Sequence, residues 1–221
     1  MPEWTHGDPA RAPADAPLAF GGVLDSPTLL AAYRAGIFPW YSEGEPVQWW
    51  SPDPRFVLRP ADLKVADSLR KTARKPGWKV TYDQDFEVVM RACAQTPRPG
   101  QDGTWITEEM VRAYVRLHAE GHAHSVEVRW DGELVGGLYG VTIGRLFHGE
   151  SMFHHRTDAS KVGFVHLVGK LAEGGYRLID CQMPTRHLAS LGAYGISRRD
   201  FLTVVRAERD RSPDPRVWVS L

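Results

Sequence analysis

The stretch from Ser125 to Phe153 restricts the fold more than any other. Ser125-Val126-Glu127-Val128-Arg129-Trp130 alternates with period two, and Asp131-Gly132 is a hairpin-turn pair. Leu134 to Ile143 continues as a strand interrupted by glycines, and a second turn at Ile143-Gly144-Arg145 leads into Leu146 to Phe153. Turns this short hold neighbouring strands antiparallel, because parallel pairing needs a crossover of about a dozen residues or more. Such a crossover comes next. Asp158 caps an amphipathic helix that turns Val162, Val165, Val168 and Leu171 inward and stops at Gly174-Gly175. Tyr176 to Gln182 then reads as a buried strand, and Thr185 to Leu191 as a short helix ended by Gly192. An antiparallel meander followed by a helical crossover is an acetyltransferase-like (GNAT-like) α/β layout.

Ahead of the meander, Asp85 and Thr107 each stand where a helix cap is needed. The first helix runs through Phe86, Val89, Met90 and Cys93 to a stop before Pro97, the second through Val111, Tyr114, Val115 and His118 to Gly121. Earlier still, Ser26 reads as an N-cap with Pro27 in the first turn, and Leu29, Leu30 and Tyr33 lead to Gly36. From there to Pro60, Trp40, Trp49 and Trp50 stand among Pro39, Pro46, Pro52 and Pro54, a composition for rigid, aromatic-lined loops and short strands. The expected organisation is α+β. A mobile tail spans residues 1–17, and a small N-terminal domain over 18–60 packs on the acetyltransferase-like domain over 61–221.

Composition narrows the function classes. With 43% hydrophobic and 24% charged residues the chain is an ordinary globular one, and no apolar run approaches the roughly 18 residues of a membrane span. Cys93 and Cys181 are too few for a disulfide scaffold, and Met1 to Ala19 lacks the apolar core of a secretory signal, so reduced thiols in the cytoplasm are expected. Lys plus Arg and Asp plus Glu both number 27, so any RNA contact is local. The candidate is Arg55 to Lys79, where Arg59, Lys64, Arg70, Lys71, Arg74 and Lys75 face only Asp62 and Asp67; a solvated helical face is the alternative.

Asp180 and Gln182 are the sharpest chemical pair. Residues two apart on a strand share a face, and Pro184 turns the chain at the end where side chains emerge into a cleft. Capping of the next helix is the plainer role for the same pair. In Leu146 to Phe153 an acid, Glu150, stands among large apolar groups, and Gly149 is placed for a bulge that swings Phe147 onto the side of Glu150 and Met152. That makes an apolar pocket with one anion at its mouth, or else a core strand whose Glu150 is satisfied by Lys161 or Arg156. Gly149-Glu150-Ser151-Met152-Phe153 lacks the second glycine of a nucleophile elbow. The nine histidines include His122/His124 and His154/His155 but no cysteine or acid at zinc-ligand spacing, so no metal is expected. Gly136-Gly137-Leu138-Tyr139-Gly140 lies inside a strand and is no phosphate loop.

Several segments in order, Gly36-Ile37-Phe38-Pro39-Trp40, Trp49-Trp50-Ser51-Pro52-Asp53-Pro54-Arg55, Gly103-Thr104-Trp105-Ile106-Thr107 and Gly121-His122-Ala123-His124-Ser125-Val126-Glu127-Val128, form one half of a pattern. Phe147 to Phe153, Ala159-Ser160-Lys161, Leu178-Ile179-Asp180-Cys181-Gln182, His187 to Ala193 and Arg198-Arg199-Asp200-Phe201-Leu202 complete it. Together they resemble the bacterial leucyl/phenylalanyl-tRNA protein transferase family over most of the chain. The resemblance implies that Leu, Phe and less efficiently Met pass from leucyl-tRNA or phenylalanyl-tRNA to proteins beginning with Arg or Lys, which are thereby marked for N-end-rule degradation. It implies catalytic roles for Asp180 and Gln182, and substrate-binding roles for Trp40, Trp105, Phe147, Glu150, Ser151 and Met152. Leu167 is carried over with them, standing where some members place an aromatic pocket residue. An aminoacyl ester is already activated, so the reaction calls for positioning rather than a cofactor.

Two other readings compete. A CoA-dependent acetyltransferase places a glycine-rich pyrophosphate loop before the crossover helix, where this chain has the glycine-free, acid-bearing Arg156-Thr157-Asp158-Ala159-Ser160-Lys161. A non-catalytic RNA- or peptide-binding module predicts that altering Asp180 changes binding rather than rate.

Overall fold

The computed structural model describes residues 3–96 and 104–219, so Pro97 and Gly103 lie outside the described residues. β1 (Ala19–Phe20), β2 (Phe38–Pro39) and β3 (Gln48–Trp50) form a small antiparallel sheet in the order β1-β3-β2, with α1 (Ser26–Arg34) between the first two. Asp25, not Ser26, caps α1: its carboxylate accepts from the Thr28 N–H at 2.9 Å, and Ser26 is the first helical residue.

The remaining strands are β4 (Arg55–Leu58), β5 (Trp78–Tyr82), β6 (Ala123–Trp130), β7 (Glu133–Ile143), β8 (Leu146–His154), β9 (Leu178–Gln182) and β10 (Tyr194–Ile196). They build one sheet in the order β10-β4-β9-β8-β7-β6-β5, in which only β8 and β9 run parallel. The helices are α2 (Asp67–Ala73), α3 (Phe86–Gln95), α4 (Glu108–Ala119), the crossover α5 (Ala159–Glu173), α6 (Arg186–Ser190) and α7 (Arg198–Glu208). Thr107 caps α4 as expected. Asp85 and Asp158 flank their helices without capping them, since their carboxylates pair instead with Arg129 and Lys161.

Period-two alternation in the meander divides the core. Tyr139 and Val141 face α1, α3, α4 and the small sheet, whereas Val126, Val128 and Leu138 face α5. A third cluster joins Val57, Leu146 and Leu178 to Phe201, Leu202 and Val205 of α7. Burial of each such large apolar side chain stabilises the fold by about 1.5–3 kcal/mol.

Three features differ from the sequence reading. β4 and β5 both precede the helices expected to open the larger domain, and β4 lies before residue 60 yet sits in the large sheet beside β9. The described part of the N-terminal tail is docked rather than loose: the buried Arg198 guanidinium donates to the Ala12, Pro13 and Ser51 carbonyls, and the Trp4 ring meets Trp49 edge-on. The bounds of α2 were not read either, although a solvated helical face was the alternative for that stretch, because its N-cap is Ala66, with no side-chain cap bond.

Candidate active site

The site opens where β8 and β9 part. Their parallel pairing ends at His148 and Asp180. Beyond it, β8 carries the expected bulge, since Tyr139 pairs with Ser151 and the next residue, Gly140, pairs with Gly149. Glu150 is the extra residue. Phe147, Glu150 and Met152 therefore all line one cavity of about 480 Å³ in the gap. Gly140 is required beneath it, because a Cβ there would lie 2.3 Å from the His148 carbonyl oxygen and 2.4 Å from Phe147 Cζ.

The small domain closes the cavity with Phe38 and Trp40, the segment before α4 adds Trp105, and α5 adds Phe164. Ser151 lines it as well. Leu167 does not; it is fully buried in the core on the α5 side of the sheet.

Asp180 and Gln182 are close but do not share the cavity. Gln182 lines it, while Asp180, 1% exposed, lies behind the wall. The Gln182 backbone is left-handed, with φ of 61°, which takes its side chain off the strand's alternation. One Asp180 oxygen accepts the Gln182 N–H at 2.9 Å. Arg55 holds both oxygens, Nε at 2.7 Å and Nη2 at 2.6 Å, and His148 Nδ1 lies 2.8 Å from Oδ2. The Arg55 guanidinium is itself clamped between the Phe38 and Phe201 rings, 4.6 and 4.5 Å from their centroids. Burial pushes the Asp180 pKa up, but the Arg55 charge and its hydrogen bonds outweigh that and hold the carboxyl well below the usual range.

On the other side of Gln182, its amide Nε2 donates to Glu150 Oε1 at 2.7 Å. Tyr114 Oη donates to Glu150 Oε2 at 3.2 Å, and Tyr33 and Tyr114 hydroxyls are 2.5 Å apart. Glu150 thus rests on two tyrosines and an amide, not on Lys161 or Arg156. With no cation bonded to it, burial first and the Asp180 charge second raise its pKa to about 7. Burial and the same Glu150 charge drive both tyrosine hydroxyls well above their ordinary value, so they act as neutral donors.

The sequence reading missed Arg55, His148, Tyr33 and Tyr114 as parts of the site. The readable signal for the first was an arginine heading the apolar run Arg55-Phe56-Val57-Leu58, since a cation inside a buried strand demands a buried anion. Among the described residues, no group of three or more His, Cys, Asp or Glu side chains is arranged to hold a metal ion, and no helix is long and apolar enough to cross a membrane.

Comparison with known proteins meets this geometry from the other side. Residues 57–206 match the family model for leucyl/phenylalanyl-tRNA protein transferase, and residues 22–53 match the model for its N-terminal domain. A relative of that name from Chromobacterium violaceum is 58% identical over 202 residues, covering 91% of this chain and 86% of its own length. One from Pseudomonas putida is 55% identical over 203 residues, covering 92% and 89%. Among solved structures, L-PGS from Bacillus licheniformis is 12% identical with a TM-score of 0.47, covering 72% of this chain and 65% of that one. The N-terminal match supplies the Phe38 and Trp40 wall and the larger match supplies Glu150, Asp180 and Gln182, so one family's two parts meet at one cavity: the chain belongs to the leucyl/phenylalanyl-tRNA protein transferases.

Proposed function

We propose that this chain moves leucine or phenylalanine, and methionine less efficiently, from aminoacyl-tRNA onto the N-terminal Arg or Lys of an acceptor protein in the cytoplasm. The observation that carries this is the state of the Gln182 amide at the edge of an apolar cavity. Its Nε2 is committed to Glu150, so the amide oxygen is the group left to accept a hydrogen bond from a ligand.

In the reaction, the acceptor's α-amine attacks the ester carbonyl carbon, the bond from that carbon to the ribose oxygen breaks, and the ribose oxygen leaves with the proton the amine sheds. An α-amine has a pKa of about 7.7–8, so a useful fraction is unprotonated near neutrality. Gln182 is too weak a base to keep the proton; it orients the amine's lone pair by accepting one N–H. Asp180 acts as a positioning residue, through the Gln182 backbone, while Glu150 holds the amide. Of these carboxylates only Glu150 lines the cavity, which supports it as the one that meets the cationic amine or side chain of a substrate. An apolar wall discriminates by only about 1–3 kcal/mol per methylene, so leakage to Met is expected. For the tRNA, exposed Arg70, Lys71, Arg74 and Lys75 on and after α2 support a local contact, whereas Arg55 is buried and is withdrawn from that patch.

The test is transfer of labelled leucine from leucyl-tRNA to peptides beginning with Arg or with Ala. Transfer confined to the Arg peptide supports the reading. Equal transfer to both removes the acceptor assignment, and none to either from folded protein removes the reaction.

A further inference from the structure

Behind Phe147, outside the cavity lining, lies the last described part of the chain. Residues Pro215–Trp218 form a 3-10 turn capped by Asp214, beyond residue 206, where the family match ends. The turn is strapped down at several points. The Asp214 N–H donates to the Gly174 carbonyl at 3.1 Å, and Lys170 Nζ donates to the Val219 carbonyl at 3.0 Å. Val217 is buried, and its Cγ2 stands 2.1 Å from where a Cβ on Gly174 would be, so the glycine that ends α5 is also the seat of the strap.

These anchors deliver Trp218 into an aromatic box. Its indole lies flat on the His124 ring, with centroids 3.9 Å apart and planes 5° from parallel, and its N–H donates to Tyr176 Oη at 3.2 Å. His124 is held by Asp83 at 2.7 Å. Trp218 also stacks on Phe147, at 5.8 Å and 29°. Phe147, though almost fully buried, is part of the cavity lining, while Trp218 does not line it. The Phe147 ring is therefore confined from beneath by the bare Gly140 and from behind by Trp218.

We propose that this strap determines the depth of the amino-acid side-chain pocket: Trp218 is a specificity-determining residue that acts through Phe147 and never touches the substrate. The proposal rests on the transferase reading. A pocket wall that is free to retreat admits a larger side chain, and one methylene of room changes discrimination by about 10–200-fold.

The test compares kcat/KM for phenylalanyl-tRNA and leucyl-tRNA on one Arg peptide. Trp218→Ala is expected to raise the Phe to Leu ratio about tenfold, at the low end of that range. Trp218→Phe keeps a ring behind Phe147 while giving up the Tyr176 bond and part of the stack on His124, and is expected to stay within about twofold of wild type. Val217→Ala, a milder release of the strap, serves should Trp218→Ala fail to fold, and is expected to shift the ratio the same way by about threefold. A folded Trp218→Ala or Val217→Ala protein with the wild-type ratio, or one that loses both activities equally, overturns the proposal. Wild-type protein that transfers neither residue overturns the transferase reading instead. The strap's hold on Phe147 is then judged by amide hydrogen exchange in residues 146–150: faster exchange in the variant supports it, and unchanged exchange overturns it.

Discussion

Replacing Asp180 by alanine leaves the Arg55 guanidinium, 0% exposed and sandwiched between Phe38 and Phe201, without a counter-ion. Breaking one partner out of a buried pair typically costs about 3–5 kcal/mol, a large share of the roughly 5–15 kcal/mol that holds a domain folded. For a chain of this size that corresponds to a fall in melting temperature of roughly 6–20 °C. Lost activity in the single variant therefore mixes instability with lost positioning. Arg55→Met combined with Asp180→Leu separates them, because removing both charges relieves the uncompensated cation. The double variant is expected to regain most of the stability and to stay inactive, since the Gln182 N–H has lost its acceptor and the left-handed residue costs about 1–3 kcal/mol to hold. Urea unfolding gives the stabilities and the transfer assay gives the rates. The sign with pH also follows. A carboxyl whose folded pKa is depressed contributes stability in full above its unfolded value of about 3.9, and loses it as pH falls below that toward the folded value. An Asp180→Ala protein within about 1 kcal/mol of wild type, below the cost of an orphaned buried charge, would refute the reasoning. So would a double variant that recovers transfer.

Two further changes test the surroundings. Glu150 has the opposite sign: its folded pKa is raised from 4.5 to about 7, so its contribution is complete below the unfolded value and is lost as pH rises through about 7, by roughly 3 kcal/mol in all. Glu150→Gln is expected to flatten that part of the stability curve between about pH 4.5 and 7, and an unchanged slope there in urea titrations would contradict it. Gly36→Ala places a Cβ 2.6 Å from Leu202 Cδ2 at a residue with φ of 79°, and is expected to lose about 1–3 kcal/mol as overpacking at the seam of the small domain and α7; an unshifted urea midpoint would count against that.

What the sequence disclosed followed range. The meander was legible because alternation and two-residue turns are local, and its ends fall within a residue or two of those read from Ser125 to Phe153. The bulge that brings Phe147, Glu150 and Met152 together was legible from Gly149 for the same reason. Pairings across the chain were not. Tyr33 and Tyr114 read as apolar helix-face residues, and nothing local says that their hydroxyls converge on a carboxylate far along the chain. Arg55 was read as one end of a basic stretch because cations follow it to Lys79, although the three apolar residues directly after it marked a buried strand. Asp180 was read onto the face of Gln182 because alternation assumes an extended backbone, and the left-handed Gln182 breaks that assumption.

The two domains matter to the proposed chemistry because water, far more abundant than the acceptor, can hydrolyse an aminoacyl ester before an amine reaches it. A site for this reaction has to exclude water around the carbonyl while admitting one amine. The small domain contributes Phe38 and Trp40 to the cavity wall and Tyr33 to the support of Glu150, so closing the site and orienting Gln182 depend on the same interface. Gln182 is then held from two directions, by an ionised Asp180 locked to Arg55 and by a Glu150 poised near neutrality. Dryness favours the amide as the acceptor for the incoming amine, because it needs no charge where burial penalises charge. The same dryness lifts Glu150, so the support for the amide is sensitive to pH in the range where the acceptor amine itself loses its proton.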